Sequence, residues 1–190
     1  MVIRHAGRPA TFSPMRRYIL TGAPGSGKTA LLRQLELDGY AVVEEAATDV
    51  IALRQALGVD EPWREPGFLE RIVDLQRTRE LATAGRAVAF FDRSPVCTLA
   101  LGRHLGIPVP ATLLAEVDRA AKTYEPTAFL VRGQGFVHPT AARRIGVEEA
   151  SRFERIHEET YRELGFTLVD VPAGPLAARV SVISSAVSDV

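Results

Sequence analysis

The stretch that decides the fold is Tyr18-Ile19-Leu20-Thr21-Gly22-Ala23-Pro24-Gly25-Ser26-Gly27-Lys28-Thr29. Its last eight residues fit the pattern G-x-x-x-x-G-K-[ST], and they follow an apolar run where a buried strand would end. Glycines let the backbone curl so that successive N–H groups converge on phosphate oxygens, and a helix that begins near Lys28 adds its positive dipole end. The stretch therefore predicts a phosphate-binding loop.

The motif assigns a task to each of its polar residues. We expect Lys28 to contact the outer phosphates of a nucleotide and the Thr29 hydroxyl to hold Mg²⁺. ATP is favoured over GTP because the chain has no Asn/Thr-Lys-x-Asp element for reading guanine, although the sequence does not exclude GTP. The residues predicted to bind the nucleotide here are Gly22, Ala23, Pro24, Gly25, Ser26, Gly27, Lys28, Thr29 and Ala30.

Length and composition predict a single domain. With 190 residues and 46% hydrophobic content, the chain can bury one sizeable core, which we place at 15–190 after a flexible extension, 1–14. The formal net charge is zero and gives no indication of nucleic acid or an anionic membrane as a partner. Cys97 is the single cysteine, and no apolar run is long enough to span a bilayer. We therefore expect a cytoplasmic protein, either a monomer or a homodimer.

Strand and helix patterns alternate along the chain and predict an α/β fold. Such alternation indicates a parallel sheet covered by helices, with ligands at the carboxyl ends of the strands. A flexible stretch is expected at 133–146. Strands are predicted at 17–20, 40–44, 87–91, 128–132 and 167–171, and helices at 29–38, 46–57, 68–84, from 94 onward, and at 110–123, 147–164 and 175–186.

Charged residues at two strand ends are candidates for catalysis. Asp92 follows the apolar residues 87–91, where a carboxylate can bind Mg²⁺ directly or through water. Arg93 stands where many mechanical ATPases carry a glutamate, and it can stabilise charge on a phosphoryl group in transfer. Glu45, with Glu44 as its solvated neighbour, can accept the proton of an acceptor hydroxyl. The alternatives are a helix-capping aspartate and two charged loop residues.

Other polar residues have weaker signals. Arg143 and Arg144 lie in the flexible stretch, where a lid can close over the triphosphate, and Arg132 can stack on a base; solvated arginines are the alternative. His157 faces an apolar stripe and is expected to be a core histidine. Cys97 is expected to be a small buried side chain. Gln76, Arg77 and Arg79 either border the acceptor pocket or lie on an ordinary helix surface.

Short motifs along the chain fit the pattern of one known family. They are Ile19-Leu20-Thr21 leading into Gly22–Thr29, Val42-Val43-Glu44-Glu45-Ala46-Ala47, Phe91-Asp92-Arg93, Tyr124 ahead of Ala128-Phe129-Leu130, Glu148-Glu149-Ala150, and Tyr161-Arg162-Glu163-Leu164-Gly165-Phe166. Over about residues 16 to 185 the chain resembles the P-loop kinase-like, AAA-type ATPase domain that also forms the nicotinamide riboside kinase half of the bacterial NAD regulator.

This resemblance implies a three-layer P-loop NTPase fold whose five-stranded parallel sheet has the order 2-3-1-4-5. It also implies Mg²⁺-dependent nucleotide binding through Lys28, Thr29 and Asp92, with Arg144 as the lid arginine. The chain departs from the family pattern at three places on the acceptor side: Thr48 replaces an arginine, Cys97 an acidic residue, and a residue near Thr140 an aspartate.

Two classes of function follow. The first is a small-molecule kinase that transfers the γ-phosphoryl group of ATP to a hydroxyl acceptor. Its catalytic residues are Lys28, Glu45, Asp92, Arg93 and Arg144. The alternative is an ATPase switch or binding module whose nucleotide state regulates a partner, and the altered acceptor side favours it.

Overall fold

The computed structural model describes residues 15–134 and 147–188. Its five strands are β1 (Arg16–Thr21), β2 (Ala41–Val43), β3 (Val88–Asp92), β4 (Thr127–Val131) and β5 (Thr167–Val171). Its helices are α1 (Lys28–Leu37), α2 (Ala46–Ala56), α3 (Phe68–Leu81), α4 (Pro95–Leu105), α5 (Ala111–Thr123), α6 (Val147–Glu163) and α7 (Leu176–Ser188), with a 3₁₀ turn at Pro62–Arg64.

The strands form one parallel sheet in the order β2-β3-β1-β4-β5, which confirms the order implied by the family resemblance. Leu20 of β1 pairs with Asp92 of β3, so the phosphate loop and the Asp92-Arg93 pair leave the sheet at the same level. This register places the loop and the charged strand ends together at the carboxyl edge.

Helices cover both faces of the sheet. Ile19 and Phe91 face a core formed with α2 to α6, whereas Leu20 and Phe90 face a second core formed with α1 and α7. Neighbouring residues of one strand point to opposite faces, so a strand covered on both sides has to be apolar throughout. The predicted three-layer α/β architecture is confirmed.

Most helix and strand boundaries lie within one or two residues of the sequence prediction; the difference at β2 concerns a candidate residue, and the difference at α3 is the largest. β2 ends at Val43, so Glu44 lies beyond the strand. α3 ends at Leu81 instead of residue 84, because the amide and the hydroxyl of Thr83 both donate to the Glu80 carbonyl, at 3.0 and 2.7 Å, and close a turn there. Among the described helices, none is long and apolar enough to cross a membrane.

Candidate active site

The phosphate loop connects β1 to α1 through residues 22–27, and its path requires glycine at two points. Gly22 has a φ of 128°, and a Cβ there would lie 2.4 Å from the Val131 carbonyl oxygen. Gly27 has a φ of 88° and caps the N-terminus of α1. Left-handed backbone is accessible to glycine at little cost, so the motif's glycines set the curl of the loop.

Lys28 folds back into the curl of its own loop. Its Nζ donates to the carbonyl oxygens of Gly22 at 3.0 Å and Ala23 at 2.8 Å, and to Ser26 Oγ at 3.2 Å. The residue is only 5% exposed. Burial, reinforced by the nearby Arg93 charge, lowers the pKa of Lys28 to about 8. The ammonium group is thus already positioned at the centre of the loop.

Thr29 and Asp92 supply the oxygens that a magnesium ion would need. Asp92 ends β3 as a buried carboxylate, and Thr29 is exposed in the first turn of α1. Mg²⁺ is typically held by one or two carboxylates together with substrate phosphates and waters, so this donor set fits the ion. Within residues 15–134 and 147–188 there is no cluster of three or more His, Cys, Asp or Glu side chains suited to a metal.

Arg93 is the centre of a buried polar group. Its Nε donates to Glu45 Oε1 at 2.6 Å, and its Nη1 lies 2.9 Å from His157 Nε2. Burial opposes the charged form, but the negatively charged groups around Arg93, the Glu45 carboxylate first among them, together outweigh burial, so the pKa of Arg93 lies above its ordinary value. Arg93 also has a φ of 77°, unique among the described non-glycine residues. Such strain is concentrated at functional sites.

His157 holds the far side of the Arg93 guanidinium. Arginine can only donate, so His157 Nε2 accepts, and the proton resides on Nδ1, which donates to the Phe153 carbonyl at 2.9 Å. Burial and then the Arg93 charge lower the pKa of His157 well below its usual range. The buried, neutral histidine agrees with the sequence prediction, but its contact with Arg93 was not predicted.

Glu45 is fixed through both its side chain and its backbone. Its Oε2 accepts from Thr48 Oγ1 at 3.0 Å. Arg79 Nη1 donates to the carbonyls of Glu44 at 3.0 Å and Glu45 at 2.7 Å, and Arg79 also bonds Asp49. The carboxylate is therefore held at the junction of β2 and α2, whereas Glu44 is half-exposed and bonds Arg33.

A cavity of about 260 Å³ opens between the phosphate loop and helices α2, α3, α4 and α6. Pro24 of the loop, Glu45 and Arg93 are among the residues that line it. Its remaining walls are largely apolar, and Gln76 and Thr98 add a hydrogen-bonded pair, 3.1 Å apart. The main apolar side chains are Ile51, Trp63, Phe68, Ile72, Leu101 and Phe153.

The remaining predicted residues have varied positions. Thr140, Arg143 and Arg144 lie outside the described residues, as does the predicted extension 1–14. Arg132 pairs with Glu158 at 2.8 Å, Glu154 at 3.2 Å and Asp170 at 2.7 Å, and stacking on a base remains a prediction.

Of the three polar residues predicted on the long helix, Gln76 lines the cavity, while Arg77 pairs with Glu80 at 3.4 Å. Cys97 is buried, as predicted, and lies 3.2 Å from Tyr161 Oη.

Sequence reasoning missed Arg179 on α7. Its Nη1 donates to the Ser26 carbonyl at 2.9 Å, directly behind the phosphate loop. A signal was present, because residues 179, 183 and 187 share one helix face and two of them are the apolar Ile183 and Val187. A charged residue in a buried stripe indicates a specific partner.

The glycine loop on β1, the strand order and the charged strand ends define a P-loop phosphotransferase or ATPase, the class predicted from sequence. A family model described as an AAA domain matches residues 17–179, and the chain therefore belongs to the AAA domain family. This confirms the family resemblance. No curated protein sequence matches the chain.

Solved structures of similar fold include two of the NadR protein. The complex with NAD and AMP-PNP has a TM-score of 0.62 and 15% identity over 90% of this chain and 49% of that chain. The complex with NR has a TM-score of 0.59 and 16% identity over 90% of this chain and 50% of that chain. The chain thus spans about half the length of NadR.

Deoxyadenosine kinase from M. mycoides, solved with the products dCMP and dCDP, is similar in fold over its whole length. Its TM-score is 0.61 with 13% identity, over 92% of this chain and 100% of that chain. At identities this low, the structural matches establish the fold.

Proposed function

We propose that the protein is a small-molecule kinase that transfers the γ-phosphoryl group of ATP to a hydroxyl acceptor held in the cavity. One observation carries the proposal: the Glu45–Arg93 pair, 2.6 Å apart, lines a cavity that the phosphate loop also borders through Pro24. A carboxylate and a cation thus meet where a bound triphosphate and a bound acceptor would adjoin.

The residues divide the transfer between them. Lys28 gives up its hydrogen bonds to the loop carbonyls and donates to the outer phosphates instead. Arg93 stabilises the negative charge that develops on the phosphoryl group during transfer. The acceptor oxygen forms its bond to the γ-phosphorus as the bond to the ADP oxygen breaks, and its proton passes to Glu45. Mg²⁺, when bound through Thr29 and Asp92, neutralises charge on the phosphates.

A carboxylate paired with an arginine is a weak base, yet it suits this chemistry. Phosphoryl transfer has a loose transition state in which the acceptor proton leaves late, so placement matters more than basicity. The Thr48 and Arg93 contacts supply that placement for Glu45. The proposal thus requires no raised pKa at Glu45.

The fold relatives support a nucleotide donor, since structures with AMP-PNP or nucleotide products are among them. The cavity walls favour an acceptor with a flat or apolar body and its hydroxyl beside Glu45.

The test is incubation with γ-labelled ATP, Mg²⁺ and a panel of nucleosides, nicotinamide riboside and apolar alcohols. Label should pass to an acceptor with wild-type protein and with Glu44→Gln, but not with Glu45→Gln.

The alternative function is an ATPase switch, and one observation favours it. Both carboxylate oxygens of Glu45 already have partners within the protein, Arg93 and Thr48. The Glu45–Arg93 pair can therefore have a purely structural role. Slow hydrolysis with no transfer to any acceptor would reject the kinase and favour the switch. Stimulation of that hydrolysis by a partner, unchanged in Glu45→Gln, would establish it.

A further inference from the structure

Arg179 is a buried cation behind the phosphate loop that the proposed transfer does not use. It lies in the first turn of α7 and is 3% exposed, on the same helix face as the core residues Ile183 and Val187. Burying an arginine among apolar side chains is costly unless its charge is compensated. Its position therefore calls for a specific role.

The partners of this guanidinium are neutral. Nη1 donates to the Ser26 carbonyl at 2.9 Å and Nη2 to the Arg132 carbonyl at 3.2 Å, while the buried Nε has no hydrogen-bond partner within 15–134 and 147–188. Across the part of the chain that the structure describes, no carboxylate lies within ion-pair distance of Arg179. Burial accordingly lowers the pKa of Arg179. Among these described residues, the positive charge is desolvated and has no carboxylate as a counter-charge.

The contact with Ser26 controls a peptide group of the loop. A trans peptide is planar, and its C=O and N–H point in opposite directions. Because Arg179 holds the Ser26 oxygen on the α7 side, the N–H of Gly27 is turned to the other side of that peptide. Gly27 permits this close approach, since a Cβ there would lie 2.8 Å from Arg179 Nη1.

We propose that Arg179 is a positioning residue for nucleotide binding: it orients the Ser26–Gly27 peptide so that its N–H faces the phosphates, and its charge finds compensation when those phosphates bind. A guanidinium on the carbonyl also polarises the peptide and strengthens the N–H as a donor. The inference rests on the nucleotide binding in the proposed function and is independent of the acceptor.

The test compares Arg179→Met and Arg179→Lys with the exposed control Arg64→Met, using calorimetric titration with Mg-AMP-PNP and thermal unfolding without nucleotide. Arg179→Met should weaken binding by about tenfold to a hundredfold, the effect of losing one charge-assisted contact. Its unfolding temperature without nucleotide should stay level or rise, because a desolvated charge is replaced by a side chain that suits the stripe. Arg179→Lys keeps the positive charge but loses the paired donors of the planar guanidinium. Its affinity for Mg-AMP-PNP should lie between those of wild type and Arg179→Met.

A purely structural role predicts the reverse pattern, a lower unfolding temperature with unchanged affinity of the folded protein, and this pattern would overturn the inference. Affinity within twofold of wild type in Arg179→Met would overturn it as well. Should Arg179→Met not fold, Arg179→Lys decides by the same two measurements. If wild-type protein itself does not bind Mg-AMP-PNP, the proposed function fails together with this inference, whereas equal binding by wild type and variants removes the inference alone.

Discussion

The phosphate loop and the cavity beside it share a border at Pro24, yet they are built differently. The loop is one continuous segment in which glycine conformations and main-chain groups form the site. The cavity is assembled mainly from side chains of four helices and a 3₁₀ turn, completed by Pro24 and by Glu45 and Arg93. A backbone site tolerates sequence change around it, whereas every wall substitution alters a side-chain cavity. Nucleotide binding and acceptor choice can therefore diverge separately.

The departures from the family pattern agree with this contrast. Thr48 and Cys97, the two that lie in the described residues, both line the cavity, and neither belongs to the phosphate loop. Thr48 uses its hydroxyl to bond Glu45, which the longer arginine of the family pattern could not do in the same way. If the two regions are separable, a change in one should leave the function of the other intact.

The largest effect is expected on the loop side. Lys28→Met removes the ammonium group that the loop holds at its centre, so affinity for Mg-AMP-PNP should fall by about a hundredfold or more and phosphoryl transfer should be lost. Calorimetric titration measures the affinity. The matched control is Lys122→Met, which removes the chain's second lysine from the exposed surface of α5 and should bind like wild type. Equal binding by Lys28→Met would contradict the assignment of the loop.

The second-largest effect is expected at Glu45, where the phosphate loop and the cavity adjoin. Glu45→Gln removes the proposed proton acceptor, so turnover should fall by about a hundredfold to ten-thousandfold while nucleotide affinity stays within about twofold. Single-turnover transfer and nucleotide titration separate the two quantities.

Its control is Glu44→Gln, which changes the adjacent, half-exposed carboxylate and should leave turnover unchanged. A parallel loss of nucleotide affinity in Glu45→Gln would mean that the two regions are not separable. Thermal unfolding checks that Arg93, left with an uncharged partner, still allows the protein to fold.

The same contrast explains how far the sequence could be interpreted. The loop could be predicted because its function depends on local backbone conformation, which eight consecutive residues encode. The gathering of Glu45, Asp92 and Arg93 could be predicted because parallel strands bring their carboxyl ends to one edge. The strand order came from the family resemblance, not from any local pattern.

Contacts made across the fold could not be predicted in this way. His157 reaches Arg93 only because α6 packs against α4, a relation that helical periodicity does not specify. Arg179 reaches Ser26 across a sequence separation of 153 residues. Apolar periodicity shows which face of a helix is buried, but not which loop that face will meet.

A smaller effect is expected from filling the cavity. Ala47 lines it on the first turn of α2, and Ala47→Leu places a branched side chain in the proposed acceptor space. The specificity constant for the acceptor should fall by about tenfold to a hundredfold, as expected for a few misplaced methyl groups, with nucleotide affinity unchanged. Ala52→Leu, on the exposed side of the same helix, is the control and should behave like wild type. A change in nucleotide affinity in Ala47→Leu would show that the cavity extends into the nucleotide site.

The smallest expected effect is a pH dependence of nucleotide affinity that arises from Lys28 in the phosphate loop. The pKa of Lys28 is about 8 in the free protein, lowered by burial and Arg93 against the opposing pull of Asp92, Glu45 and Cys97. Bound phosphates favour the ammonium form and raise that pKa. Above pH 8 the free protein must therefore take up a proton to bind, and affinity should fall by about tenfold from pH 8.5 to pH 9.5, while below pH 7 it should be flat with respect to Lys28.

Titrations in buffers of different ionisation enthalpy measure that proton directly. Uptake should approach one proton per nucleotide near pH 9 in wild-type protein. Lys28→Arg keeps a charge that does not titrate in this range, so any binding it retains should proceed without proton uptake. The acceptor step should not share this dependence, because Glu45 pairs with an arginine, whose charge does not titrate in this range. Uptake that persists in Lys28→Arg would assign the proton to another group and place the titration outside the loop.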